Sequence, residues 1–433
     1  MRGKKKQKVH VITMGCSKNV VDSEKLMAQL LRNDIELAPT LEEADIAVIN
    51  TCGFIQAARE ESIDMIIENV RRKGKGKLKK VYAMGCLTQR YPVELAAEIP
   101  EVDGFFGSNA IPAVLKELGA DYRRELLGER VLTTPSHTAY LKVSEGCDNP
   151  CSFCSIPLMR GKHMSRPMDE IIQEAHLLAG RGVKELNVIG QDTTSYGIDL
   201  GGQRQLAGLL ERLGNVGGVE WVRLMYAYPA KFPMEILDVI RDHPHLCKYL
   251  DLPVQHVSDR VLKSMRRGTS RRALLDLLAA IRERVPGIAL RTTLIVGYPD
   301  EGEKEFQELL DFVREQEFHR LGVFSYSLEE GTAAYGLGDP VSAGEKEERL
   351  GRVMEAQREI SLARNETLVG TEQRVLIDRV EADQLVGRTA HDAPEIDNEV
   401  FLPFRPEIGP GTFCQVEIVE STEYDLYARW RQP

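Results

Sequence analysis

From residue 8 to about 125 the chain repeats one pattern. A short, unbroken apolar run is followed by a segment with apolar residues at helical spacing. The runs cover residues 9–16, 45–53 and 80–86, and 102–107 fits a fourth; the helical patterns cover 23–32, 57–72 and 92–98. Continuous β-rich runs are the profile of strands buried on both faces. Strands alternating with helices predict βαβ units and a parallel sheet.

The alternation resumes with strand patterns at 140–144, 185–189, 221–226, 249–254, 289–296 and 321–326. Helical patterns at 168–181, 203–213, 233–241, 270–285 and 302–317 separate them. Six such units are too few for a closed eight-fold barrel. A charged helical stretch at 345–365 then leads to short strands at 374–380, 384–388, 399–401, 412–419 and 425–430. Five short strands with Gly/Pro turns predict a small OB-like β-barrel. The expected class is therefore α/β multidomain, with units at 8–125, 133–364 and 367–433.

Composition changes this picture little. Length (433 residues) suits two to four domains, and 42% hydrophobic residues suffice for ordinary cores. No run of 18 apolar residues suggests a membrane span. The basic N-terminus, residues 1–8, reads as a solvated tail, and the apolar stretch after it is too short for a signal peptide. The cytoplasm is the default expectation. Charge is more informative. The chain carries −10, and Val369 to Pro433 alone holds 13 Asp/Glu against 6 Arg and no Lys. Phosphate binding needs clustered Lys/Arg. The acidic segment argues against direct RNA contact and for a basic protein partner, with an aid to solubility as the plainer alternative.

The chemistry lies in the cysteines. Cys147, Cys151 and Cys154 stand at C-x3-C-x2-C spacing directly after the strand at 140–144. That places them at the C-terminal face, where barrel active sites lie. Three thiolates would ligate three irons of a cubane cluster and leave one open. Structural zinc wants a fourth ligand, which no Cys or His at a matching distance provides. A disulfide is out of place in a chain with no secretion signal. Cys16, Cys52 and Cys86 each close a strand, so a parallel sheet would bring them to one edge and could form a second such site. Three unrelated buried cysteines are the plainer alternative. Cys247 and Cys414 lack this setting and read as core residues. Gly190-Gln191-Asp192 and Gly297-Tyr298-Pro299 also follow strands. Arg160 and Arg166 could bind a carboxylate or lie in a solvated loop.

The loop Cys147 to Cys154 resembles that of the radical S-adenosylmethionine (SAM) enzymes. Met14-Gly15-Cys16-Ser17-Lys18-Asn19 with Asp22-Ser23-Glu24, then Asn50-Thr51-Cys52, then Gly85-Cys86, is similar to the N-terminal domain of the methylthiotransferases. The resemblance implies an open (β/α)6 partial TIM barrel for the middle unit and a TRAM domain for the last. It implies two [4Fe–4S] clusters, one on Cys147, Cys151 and Cys154, and an auxiliary one on Cys16, Cys52 and Cys86. SAM would bind the open iron of the first, with Phe153 near its adenine and Gly190 and Gln191 at its amino group. The implied chemistry is reductive SAM cleavage, hydrogen abstraction by the resulting radical, sulfur delivery from the auxiliary cluster and methylation by a second SAM, with an external electron donor. No side-chain base is nominated.

Two branches of the family bear on the substrate. One modifies isopentenyl-adenosine in tRNA. The other modifies the β-carbon of an aspartate in the decoding-centre ribosomal protein of the small subunit, number twelve, free or on the ribosome. Residues 14–24, 144–147, 251–256, 326–332, 387–389 and 392–398 resemble the second branch. An electron carrier without catalysis is a further reading, against which the loop and its barrel speak.

Overall fold

The computed structural model describes residues 7–126 and 128–431. Most of the basic tail, residues 1–6, lies outside the described residues. The first sheet comprises β1 (Lys8–Thr13), β2 (Glu36–Leu37), β3 (Ile46–Thr51), β4 (Lys80–Gly85) and β5 (Gly104–Phe106), all parallel in the order β2-β1-β3-β4-β5. Its central strand β3 is buried at every position, as an unbroken apolar run requires. Around the sheet lie α1 (Ser17–Arg32), α2 (Gln56–Arg72), α3 (Cys86–Arg90), α4 (Pro92–Glu98) and α5 (Ile111–Glu117). The periodicity predicts α1 only from residue 23, yet it starts immediately after Cys16. Its first turns carry Lys18, Asn19 and Asp22, polar but buried against the second unit. An apolar stripe cannot announce a face that is hidden by polar contacts.

The second sheet holds β6 (Thr138–Lys142), β9 (Glu185–Ile189), β10 (Trp221–Leu224), β11 (Leu246–Asp251), β12 (Ala289–Val296) and β13 (Arg320–Ser325). It is parallel and open, in the order β13-β12-β11-β10-β9-β6. A two-stranded ribbon, β7 (Ser144–Glu145) with β8 (Met164–Ser165), brackets the cysteine loop. The last unit is a closed barrel of β14 (Glu372–Glu381), β15 (Gln384–Thr389), β16 (Val400–Pro403), β17 (Phe413–Ser421) and β18 (Leu426–Trp430). The long helix Ala343–Glu366 leads into it.

The closed barrel plugs the open one. Leu376, Ala393 and Phe413 pack among Trp221, Tyr249 and Ala289 inside the six-stranded sheet. Cys247 is buried in that interior and Cys414 packs on the small barrel's core. Ion pairs line the junction. Arg388 meets Glu185 at 2.7 Å, Arg223 meets the same carboxylate at 3.0 Å, and Arg320 meets Asp392. Asp397 accepts from Tyr249 at 2.7 Å. The sequence sum therefore overstates the surface charge of this unit, because Asp378, Asp392 and Asp397 are engaged with buried cations and hydroxyls. Its surface is still acidic: Glu372, Glu381, Asp383, Glu395, Glu407 and Glu420 are exposed against Arg405, Arg429 and Arg431.

The junction predicts an acid response. Burial alone would raise Glu185, but Arg388 and Arg223 outweigh it and hold the carboxyl at about 2 instead of its ordinary 4.5. A depressed carboxyl stabilises the junction above pH 4.5, and that contribution is lost as pH falls towards 2. The Trp221 ring meets Phe413 edge-on at 4.9 Å and reports on docking. In a Trp430→Phe variant, which leaves Trp221 as the sole tryptophan, emission is expected to stay constant down to about pH 4.5 and then shift red. Constant emission down to pH 2 would remove the ion pairs from this role.

Candidate active site between the first two domains

Glycines let the three strand-end loops of the first domain close on one another. Gly15 has φ +82°, and a Cβ there would stand 2.6 Å from Cys52 Cβ. Gly85 has φ +111°, and a Cβ would stand 2.6 Å from both the Thr51 carbonyl and Asn50 Oδ1. Asn19 Nδ2 donates to the Met14 carbonyl at 2.8 Å and the Thr51 carbonyl at 3.0 Å, tying the first loop to the second. Cys16 caps α1, Cys52 follows β3 and Cys86 opens α3. Burial pushes the Cys52 thiol up, with Cys16 beside it adding to the shift. Burial likewise lifts Cys86 to about 11, against the pull of Arg160.

The second triad is held just as tightly. Ser152 N donates to the Met265 carbonyl at 3.0 Å, and its hydroxyl meets Tyr298 Oη at 3.0 Å, so the Gly297-Tyr298-Pro299 segment supports the cysteine loop. Asn149 Nδ2 donates to Cys147 Sγ at 3.3 Å and Arg267 Nη1 to Cys151 Sγ at 3.2 Å. Burial raises Cys147 to about 11 and Cys154 to about 12. All six thiols are free of disulfides. Among the described residues no His/Cys/Asp/Glu group closes around a single ion. Thiolates on different irons of a cluster stand farther apart than ligands of one ion. The donor set fits: soft thiols in threes, with N–H donors aimed at sulfur. Iron binding would displace the protons that burial keeps on these thiols.

One element joins the two triads. The helix α6 (Ile156–Arg160) starts two residues after Cys154, with Ser155 as its N-cap, and Met159 O accepts from Ser108 Oγ at 2.6 Å. At its end Arg160 Nε donates to Cys86 Sγ at 3.2 Å. Its Nη1 bonds Asp22 at 2.7 Å and Glu145 at 3.3 Å, and its Nη2 bonds Asn19 Oδ1. Lys142 bonds the same two carboxylates, Glu145 at 2.6 Å. Glu145 also accepts from Gln191 Nε2 at 2.6 Å. Arg160 and Arg166 thus lie in no solvated loop. Each binds a carboxylate of the protein itself, Arg166 that of Glu174 at 2.6 Å. Phe153 is half-buried against the cluster of Met265, Tyr298 and Tyr326. Gly190 permits close packing, since a Cβ there would meet Ser144 Oγ at 2.6 Å. Sequence reasoning missed the roles of Asp22, Lys142, Glu145 and Arg267. Asp22 stands in the Asp22-Ser23-Glu24 segment that carries the family resemblance, but no local pattern shows that it meets Lys142 and Arg160.

Gly146 allows a direct test of the loop. It has φ +75°, and a Cβ would stand 2.0 Å from the Lys162 carbonyl, a backbone atom that cannot swing aside. Gly146→Ala is expected to prevent the loop from closing and to lower the iron bound, measured by iron analysis after anaerobic reconstitution. Full iron occupancy would contradict the account.

Residues 8–107 match the uncharacterized protein family UPF0004, residues 141–313 the radical SAM superfamily, and residues 369–430 the TRAM domain. Solved structures agree on the fold. The radical SAM methyltransferase TsrM from Kitasatospora setae superposes with TM-score 0.54 at 13% identity, covering 74% of this chain and 73% of that one. The cobalamin-dependent SAM radical enzyme OxsB gives TM-score 0.52 at 13% identity, over 81% of this chain and 56% of that one. Fold and site define a radical SAM protein with an N-terminal cysteine domain and a TRAM barrel. Full-length relatives narrow the class. The ribosomal protein uS12 methylthiotransferase RimO of Chloroherpeton thalassium is 53% identical over 98% of both chains. Those of Cytophaga hutchinsonii and Chlorobaculum tepidum are 49% and 48% identical, each over 98% of both chains. The chain belongs to the RimO family of methylthiotransferases.

Proposed function

We propose that this protein is a radical SAM methylthiotransferase that places a methylthio group on the β-carbon of an aspartate in ribosomal protein uS12. The observation that carries the reading is end-to-end similarity, at 53% identity, to a relative of that name. Two cysteine triads linked by Arg160 suit a transfer between two cluster-held groups. Clusters on Cys147, Cys151 and Cys154 and on Cys16, Cys52 and Cys86 would supply one-electron cleavage of SAM and the transferred sulfur, with electrons from an external donor. The chain's own part is to hold and separate these groups. Asn149, Arg267 and Arg160 donate N–H bonds to sulfur, which favour the thiolate form. Gln191, fixed by Glu145, and Gly190 would take the amino group of SAM, and Phe153 would lie by its adenine, as the family resemblance implies. The acidic face of the last barrel suits a basic ribosomal protein better than RNA. No helix among the described residues is long and apolar enough to cross a membrane, and we place the enzyme in the cytoplasm with its substrate.

Reconstituted protein, given SAM, sulfide and a low-potential reductant, tests the reading with two substrates side by side. A methylthio mass gain on purified uS12, with tRNA carrying isopentenyl-adenosine unchanged, is the expected result. Transfer to the tRNA alone would overturn it.

A further inference from the structure

The aspartate proposed as substrate is ionised at neutral pH. Its β-carbon is bonded directly to the carboxylate carbon, so wherever sulfur reaches that carbon, the negative charge lies one bond away. Enclosing a carboxylate without a counter-charge is costly. The site must offer a cation on the side that delivers sulfur, and nearly every cation there is already engaged. Arg59 and Arg90 share Glu329, the latter at 2.6 Å. Lys142 and Arg160 share Asp22 and Glu145. Arg267 is turned towards Cys151 and the Pro253 carbonyl.

Lys18 is the exception. It sits two residues after Cys16, in the first turn of α1, and only 6% of its surface is exposed. Among the described residues its ammonium has no hydrogen-bond or ion-pair partner. It stands 2.9 Å from the centroid of the Tyr226 ring. Tyr226 follows β10, so the lysine reaches from the auxiliary cysteine loop to the C-terminal mouth of the open barrel. The ring is firmly set. Tyr226 takes φ +59°, its N–H donates to Asp251 Oδ2 at 2.9 Å, and its carbonyl accepts from Thr193 N at 3.1 Å. A strained backbone held from two neighbouring strand ends fixes an aromatic base under a cation whose donors are unused.

We infer that Lys18 binds the side-chain carboxylate of the aspartate that receives sulfur, and so selects aspartate over neutral groups; the inference rests on the function proposed above. A charge-assisted hydrogen bond of this kind corresponds to about 10- to 100-fold in affinity. The test compares uS12 with its target aspartate intact and with that residue changed to asparagine. Binding of each to the reconstituted full-length protein is measured by calorimetry, for the wild type, Lys18→Met and Lys18→Arg, with iron content recorded for each. The wild type is expected to prefer the aspartate form by about 10-fold or more. Lys18→Met is expected to lose that preference and Lys18→Arg to retain most of it. Unchanged preference in Lys18→Met overturns the assignment. So does loss of SAM cleavage in the absence of uS12 with the preference kept, which would place the lysine on the carboxylate of SAM. Should Lys18→Met fail to fold, an absent preference in the wild type, or a lost one in an iron-replete Lys18→Arg, still overturns it. Failure of the wild type to methylthiolate uS12 at all is a different outcome, and it defeats the functional reading itself.

Discussion

Replacing Cys52 by alanine is expected to abolish methylthio transfer while leaving about half of the iron in place and 5′-deoxyadenosine still forming from SAM. The expectation follows from how the two triads are built. Cys52 belongs to the strand-end loops of the first sheet, tied together by Asn19 and closed by Gly15 and Gly85. The other triad is supported from the barrel, through Ser152, Tyr298 and Met265. Removing a thiol from the first set takes nothing from the hydrogen bonds that hold the second. Iron analysis and chromatography of the nucleoside product read the two sites separately. Loss of 5′-deoxyadenosine together with all the iron would show that the sites are not independent, and would contradict the division of labour.

Arg160→Met is expected to destabilise the chain by about 3–5 kcal/mol, because it strands buried charge. Asp22 and Glu145 face the same guanidinium, and Lys142 alone would have to neutralise both. Burial works against the Asp22 carboxylate, and only Lys142 and Arg160 keep its carboxyl below the ordinary range. The effect should appear as a shift of the first urea transition to lower denaturant, since the residues concerned lie between two domains. Asp22→Asn in the same background should recover part of the loss by removing one of the stranded charges. An unshifted transition in Arg160→Met would mean that water reaches this network freely.

Much of this architecture is legible in the residues, and the exceptions share a cause. Residues 185–189 and 289–296 read as strands and are β9 and β12 to the residue, because continuous apolar runs between helical patterns have few alternatives. The cysteines were visible because each stands at a strand end or in a loop of recognisable spacing. What the pattern hid was polar burial. The helical periodicity begins only at residue 23, because Lys18, Asn19 and Asp22 turn inward towards another domain. Arg160 could equally have been solvated until its partners, 138 and 15 residues away in sequence, were seen around it. The acidity of the last barrel was read as surface charge, whereas Asp378, Asp392 and Asp397 are engaged with His137, Arg320 and Tyr249 of the open barrel. Contacts between domains are long-range, and local periodicity carries no record of them.

The central claim concerns the target. The most direct test is the intact mass of uS12 from cells with and without this gene, with tRNA nucleosides measured from the same cultures. The account predicts that uS12 loses one methylthio group when the gene is absent while tRNA is unchanged. An unaltered uS12 mass, with methylthio-isopentenyl-adenosine missing from tRNA, would contradict it.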